Sequence, residues 1–237
     1  MSLVIYPFVK GSGPLNMATD FWLFNKKELK NPIFRHYGWE KKEITFGYGQ
    51  TWNWVKEQKQ VDNLICTRRP TGGGIVTHGH DFTYTLIIPN HHESSKIASL
   101  DFYEFIHVSI GKALNVQNIF TVLQPCLVNG KKTCGIPGDC FQEPVGRDLM
   151  HKGTKRKIAG AAMKKTKNGI LIQGTVNVSF IGNLNQESFL QYFVKEIEEV
   201  ICENSLLTEW PEKFDDEHGK FIRQFASADW REKRKPI

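Results

Sequence analysis

Short β-rich runs and helical stretches follow one another in this chain without a regular alternation, and that irregular order restricts its fold more than any other feature. Residues 4–9, 33–37, 43–48 and 64–69 are short and rich in β-branched and aromatic side chains, as strands are. Residues 82–88 run largely apolar and stop at Pro89, the pattern of a buried strand. Further strands are expected near 120–123, 148–151, 157–164 and 169–178. Between them, residues 15–29 carry Met17, Phe21, Leu23, Phe24 and Leu29 on an approximately helical face, with Pro14 suited to the first turn. Residues 52–58 read as a short helix. Residues 101–116 set Phe102, Phe105, Ile106, Ile110 and Leu114 on one stripe, and Asp101 stands where it can cap or charge-stabilise the helix start. Helices over 186–204 and 216–225 complete the order. With no repeating βαβ unit, the expected class is α+β, with mixed, largely antiparallel sheets flanked by helices.

A chain of 237 residues, 40% hydrophobic and 24% charged, can bury a sizeable core, and residues 1–237 are expected to form one domain with C-terminal helices from about 186. No stretch approaches the roughly twenty apolar residues of a membrane span, and residues 1–10 lack a signal-peptide pattern, so a cytoplasmic protein with no membrane partner is expected. Cys66, Cys126, Cys134, Cys140 and Cys202 are odd in number and contain no CxxC pair, which fits free thiols in a reducing compartment. His91 and His92 lie in a loop region without nearby carboxylate or cysteine ligands; a surface position and no metal site are expected. The net charge of +6, with a pI near 9.0, is concentrated in residues 152–167 and 231–235. Such local surplus suits acidic carrier proteins or an anionic nucleotide as well as nucleic acid.

Three segments carry chemistry. In Arg68-Arg69-Pro70-Thr71-Gly72-Gly73-Gly74-Ile75-Val76-Thr77-His78, three glycines lie between β-rich runs. Glycine permits close backbone approach to a ligand and positive φ at little cost, so a carboxylate, phosphate or acyl carbonyl can be held there. The second segment is Arg156-Lys157-Ile158-Ala159-Gly160-Ala161-Ala162-Met163. In a regular strand Lys157, Ala159 and Ala161 share a face, setting a cation beside a shallow wall. The third is Asp139-Cys140-Phe141-Gln142-Glu143-Pro144, where a thiolate could attack a thioester, with Cys134 as its rival.

Taken together, these residues resemble the lipoate-protein ligase and octanoyltransferase family, within the superfamily that also holds biotin protein ligase. Residues 68–78 resemble its RRxxGGGxVxH signature, continued by Asp81-Phe82-Thr83-Tyr84. Asn16-Met17-Ala18-Thr19-Asp20 resembles its NMAxD helix, and residues 34–39 with 46–50 its RxYxW and GxxQ segments. Lys157-Ile158-Ala159-Gly160-Ala161-Ala162 resembles KI(A/S)GSA, although Ala161-Ala162 replace Ser-Ala and Met163 stands where glutamine is common. The Gly-Arg-Gly-Arg loop type of biotin protein ligase is absent. The resemblance spans about residues 16–177 and implies a biotin/lipoate ligase-like catalytic domain. It implies an acyl tunnel formed by Arg69, Thr71, Gly72, Gly73, Gly74, His78, Gly160 and Ala161, with Lys157 at the reacting carbonyl.

Members of this family activate the acyl group in two ways. A ligase uses ATP and magnesium to form an acyl-adenylate; a transferase takes the acyl group from an acyl carrier protein onto a cysteine and needs no cofactor. Cys140-Phe141 followed by Pro144 resembles the CFxxP element of the cysteine-dependent octanoyltransferases, and 237 residues leave little room for an accessory domain. Val145-Gly146-Arg147-Asp148 departs from the Ser-x-x-Glu continuation of that element. The expectation is therefore octanoyl transfer through Cys140 and Lys157 to lipoyl domains of 2-oxoacid dehydrogenases or glycine cleavage H-like proteins. ATP-dependent lipoate ligation is the alternative, and a noncatalytic acyl- or nucleic-acid-binding module a minor one. Nucleic acid is not the expected partner.

Overall fold

The computed structural model describes residues 1–58, 61, 63–126, 138 and 144–236; Cys134 and Cys140 lie outside them. In chain order the elements are β1 (Leu3–Gly11), α1 (Gly13–Asn25), β2 (Ile33–Trp39), β3 (Glu43–Phe46), α2 (Trp52–Lys56), β4 (Cys66–Arg68), β5 (Val76–His78) and β6 (Asp81–Pro89). There follow α3 (Ser99–Asn115), β7 (Thr121–Leu123), β8 (Leu149–His151), β9 (Lys157–Thr166), β10 (Gly169–Asn177), α4 (Gln186–Ile201), β11 (Ser205–Leu207) and α5 (Asp216–Ala226). Among the described residues, eight strands form one sheet in the order β11-β1-β2-β6-β10-β9-β8-β7, and β4-β3-β5 form a second. The β11-β1-β2 pairings are parallel and the rest of the large sheet is antiparallel. The class expected from the sequence, α+β with mixed and largely antiparallel sheets, is the one observed.

Each face of the large sheet is covered differently. Phe34, Phe82, Tyr84, Leu86, Ile172 and Val176 point to one side, where they meet α3 and α4. On α4, Phe189, Phe193, Ile197 and Ile201 recur every four residues and are all buried, each worth about 1.5–3 kcal/mol of burial at most. Asn185 caps its start by accepting from Ser188 N, and Cys202 ends it in a left-handed conformation. The helix expected to reach residue 204 therefore stops at Ile201, and the chain enters β11 instead.

The opposite face receives α1, whose start is fixed by Ser12 accepting from Leu15 N and by Pro14 in the first turn. It ends at Asn25, four residues before the expected Leu29. Asp20 and Arg35, both without exposure, join α1 to β2 at 2.7 Å. Tyr37, Thr85 and Gln173 also donate to Asp20, so this buried carboxylate is fully engaged. The residues of the NMAxD and RxYxW segments thus hold the scaffold together.

Of the two roles open to Asp101 the structure has the second: Ala98 is the cap residue of α3, and Asp101 is the acidic residue of its first turn, accepting from Arg147 at 2.8 Å. His92 is buried rather than on the surface, accepting from Ser94 N and facing Glu203, while His91 bonds Lys30 O. Among the described residues no helix is long and apolar enough to cross a membrane.

Candidate active site

A cavity opens on the α1 face of the large sheet, between β9, β10 and the small sheet. Its walls are almost wholly apolar, with Met17, Tyr37, Trp39, Val76, Ala161 and Ala162 among them. Arg69, Gly73, His78 and Gly160 also line it, as do Thr45, Thr83, Gln173 and Thr175.

The glycine loop is shaped by Arg69. Its guanidinium donates to the carbonyls of Gly72 and Gly74, each at 2.8 Å, and to Thr45 Oγ1 at 2.8 Å. Gly73 adopts φ +87°, which L side chains rarely tolerate. Gly47 closes against it so tightly that a Cβ there would sit 1.9 Å from Gly73 O. Thr71 does not line the cavity; its hydroxyl donates to Gln173 Oε1 at 2.7 Å and ties the loop to β10. Gly72 and Gly74 likewise lie off the wall, and their carbonyls accept from Arg69.

A hydrogen-bonded line continues from the loop. Thr45 Oγ1 lies 2.7 Å from His78 Nε2, and His78 Nδ1 2.7 Å from Asp81 Oδ2. A neutral His78 that donates from Nδ1 to the carboxylate accepts at Nε2 from the Thr45 hydroxyl. The imidazole stacks on Trp39 at 3.8 Å. Burial alone would raise the Asp81 carboxyl, but His78 beside it and bonds from His78, Thr175 and Thr83 hold it well below the usual carboxylate range. His78 is thereby oriented from both ring nitrogens.

Lys157 lies beside the cavity rather than on its wall. A shift in the β8–β9 register, with Leu149 opposite Ala159 and Met150 opposite Lys157, interrupts the alternation. Ala159 and Ala161 pack toward the core under α3 and α4, whereas the lysine side chain runs along Gly160. The expected shared face of Lys157, Ala159 and Ala161 is therefore not realised. A Cβ on Gly160 would lie 2.7 Å from Lys157 Cε, so glycine makes room for this chain. Lys157 Nζ pairs with Asp148 Oδ2 at 2.7 Å, and both are buried. Tyr103 OH donates to Asp148 Oδ1, and Val145 N to Oδ2 at 2.6 Å. Behind them His107 is pushed down to about 4, by burial above all, and donates from Nδ1 to Tyr103 O when neutral.

Cys140, the expected nucleophile, falls outside the described residues, as does Cys134. Gly138 is described, and its carbonyl accepts from Ile75 N at 2.9 Å and Gln50 Nε2 at 3.3 Å, directly beside the glycine loop. Cys66, Cys126 and Cys202 are free thiols; burial pushes the Cys66 thiol up to about 11, which does not suit a nucleophile.

Asp148, Tyr103 and Gln173 were not singled out from the sequence as site residues. Gln173 had a readable signal, as the one amide in the apolar run Ile170-Leu171-Ile172-Gln173-Gly174. Asp148 was read only as a departure from an expected motif, and Tyr103 gave no signal within the polar side of α3.

The family described as the lipoyl protein ligase A/B catalytic domain matches residues 12–206. The chain belongs to this family. Within lipoyl protein ligases A/B, curated relatives include octanoyltransferase LipM of Carboxydothermus hydrogenoformans, 29% identical over 70% of this chain and 61% of that protein. LipM of Bacillus subtilis is 28% identical over 80% of this chain and 68% of that protein. LipM of Lysinibacillus sphaericus is 29% identical over 86% and 74%. The chain thus spans less than two thirds of the first of these relatives. A crystal structure of lipoate-protein ligase A bound with ATP superposes with TM-score 0.71 at 15% identity, covering 97% of this chain and 98% of that one. A putative lipoate protein ligase from T. acidophilum with bound lipoic acid gives 0.70 at 14% identity, with the same coverage. Both show that this lipoyl protein ligase A/B chain has the lipoate-ligase fold.

Proposed function

We propose that this protein transfers an octanoyl group from an acyl carrier protein to the lysine of a lipoyl domain, through a thioester on Cys140. The observation that carries this reading is the cavity: a largely apolar wall that also takes in Arg69 and Gly73 of the glycine loop suits a linear acyl chain whose carbonyl stops at that loop. The curated octanoyltransferases among its relatives support the same activity. Gly138 O accepts from Ile75 N beside the loop, and Cys140 is two residues further along the sequence.

In the proposed reaction, the Cys140 thiolate attacks the carbonyl carbon of the octanoyl thioester. The amides of Gly73 and Gly74 receive the developing oxyanion, and Lys157, held as a fixed positive charge by Asp148, orients and stabilises it. The carbon–sulfur bond to the carrier breaks, and the carrier sulfur leaves and takes a proton. The acceptor lysine amine then attacks the Cys140 thioester, forming the amide, losing its proton and releasing the Cys140 thiolate. No ATP or magnesium enters this sequence. Acceptors would be lipoyl domains of 2-oxoacid dehydrogenases or glycine cleavage H-like proteins.

The test incubates the protein with an apo lipoyl domain and either octanoyl carrier thioester alone, or free lipoate with ATP and magnesium. Acylation from the thioester without ATP, abolished in Cys140→Ala, is the expected result. Full transfer by Cys140→Ala overturns the covalent route. Acylation only with ATP, indifferent to Cys140→Ala but lost in Lys157→Ala, makes the protein a ligase.

A further inference from the structure

Past the cavity, β9 keeps a regular alternation, since its pairing with β10 runs without a shift from Ala159 to Thr166. Gly160, Ala162 and Lys164 therefore share a face. Gly160 and Ala162 line the cavity, so Lys164 stands about 7 Å beyond Ala162 along that face. Its Nζ lies 5.3 Å from the centre of the Tyr48 ring, and the Arg234 guanidinium approaches the same ring at 5.8 Å. Tyr48 is anchored to the glycine loop, its amide donating to Thr71 O at 2.8 Å.

The backbone at Arg234 is held in place. Arg68 donates to the carbonyls of Trp230 and Arg231, the Trp230 indole donates to Arg68 O, and Arg234 N donates to Trp230 O at 3.1 Å. Nearby acids are already engaged, Asp229 with Lys233 and Glu232 with Arg231. Among the described residues, Lys164, Arg234 and Arg68 form no ion pair with a carboxylate. Burial and then the like charge of Arg234 push the Arg68 guanidinium down to about 10. Lys164 and Arg234, both beside the Tyr48 ring, and the buried Arg68 behind them have no carboxylate partner among the described residues and make a local positive field next to the glycine loop.

We propose that Lys164 and Arg234, set around Tyr48, form a rim that binds the phosphate of the acyl donor's carrier arm while its acyl chain enters the cavity. The proposal rests on the transferase reading and deepens it. A carrier arm brings a phosphodiester, which cationic side chains attract. The acceptor brings an amine, which is cationic until it reacts and gains nothing from this rim.

The test compares the parental protein with the double variant Lys164→Glu/Arg234→Glu on three donors: octanoyl carrier protein, octanoyl-phosphopantetheine and octanoyl-pantetheine, which lacks the phosphate. The expected result is a KM at least about tenfold higher for both phosphate-bearing donors, with unchanged KM for octanoyl-pantetheine and for the lipoyl domain. An equal change on all three donors, no change on any, a change confined to the intact carrier protein, or a change for the acceptor overturns the proposal. A parental protein inert with every donor defeats the transferase reading instead. Calorimetric binding of octanoyl-phosphopantetheine then decides the rim separately: weakening in the double variant sustains it, and equal binding overturns it, as does a rise in KM for ATP alone.

Discussion

Replacing Asp148 with Asn tests the buried ion pair on which Lys157 depends. Asp148 has no exposed side-chain surface and Lys157 only 3%, at a separation of 2.7 Å. Asn keeps the shape and one acceptor oxygen but removes the counter-charge. An ammonium left in such a place loses the counter-charge it meets at 2.7 Å, and breaking a buried pair from one side costs about 3–5 kcal/mol. Lys157→Met should cost a similar amount by stranding the carboxylate, although Tyr103 OH and Val145 N still donate to it. Asp148→Asn/Lys157→Met together should be less destabilising than the two single losses summed, because the double variant leaves no stranded charge. Urea melts of the four proteins, read as midpoints with the slope held fixed, measure this coupling. Additive losses, or an Asp148→Asn variant within about 0.5 kcal/mol of the parent as at an ordinary surface site, would refute the reasoning. In the transfer assay Asp148→Asn is expected to lower the rate, since Lys157 is no longer held along Gly160.

Gly47→Ala should destabilise the protein by about 1–3 kcal/mol or more and reduce transfer, because its Cβ would meet Gly73 O at 1.9 Å and displace the loop. Gly72→Ala, with nothing within 4 Å of the added carbon, is the matched control; equal urea midpoints for the two variants would contradict this account. His107 predicts a pH effect. Its folded value is about 4 against an ordinary 6.5, so its contribution is fully present above 6.5 and is lost as pH falls toward 4, by about 3 kcal/mol in all. Thermal melts between pH 7 and 4 should therefore fall less steeply for His107→Leu than for the parent.

The arrangement of charges explains why some replacements should matter and others not. Asp20 with Arg35, Asp81 with His78 and Asp148 with Lys157 are three buried acid–base contacts around one cavity, each completed by hydroxyl, amide or backbone donors. The first two set walls in place and the third sets a cation beside them.

Much of this was written in the sequence. The irregular order of elements determined an α+β class, because period-2 and helical apolar patterns report which residues face a core regardless of what covers them. The run of glycines after Arg69 marked the loop, because only glycine accepts φ +87° at Gly73 and the contact at Gly47. Residue spacing could not show that the β8–β9 register shifts and carries Lys157 away from the face of Ala159 and Ala161. Nor could it bring Asp148 and Tyr103 to that lysine, or Arg234 to Lys164 across the ring of Tyr48. Periodicity is local, set by bonds within a few residues, whereas these meetings depend on which strands pair, in what register, and where the chain's end is pinned by Arg68.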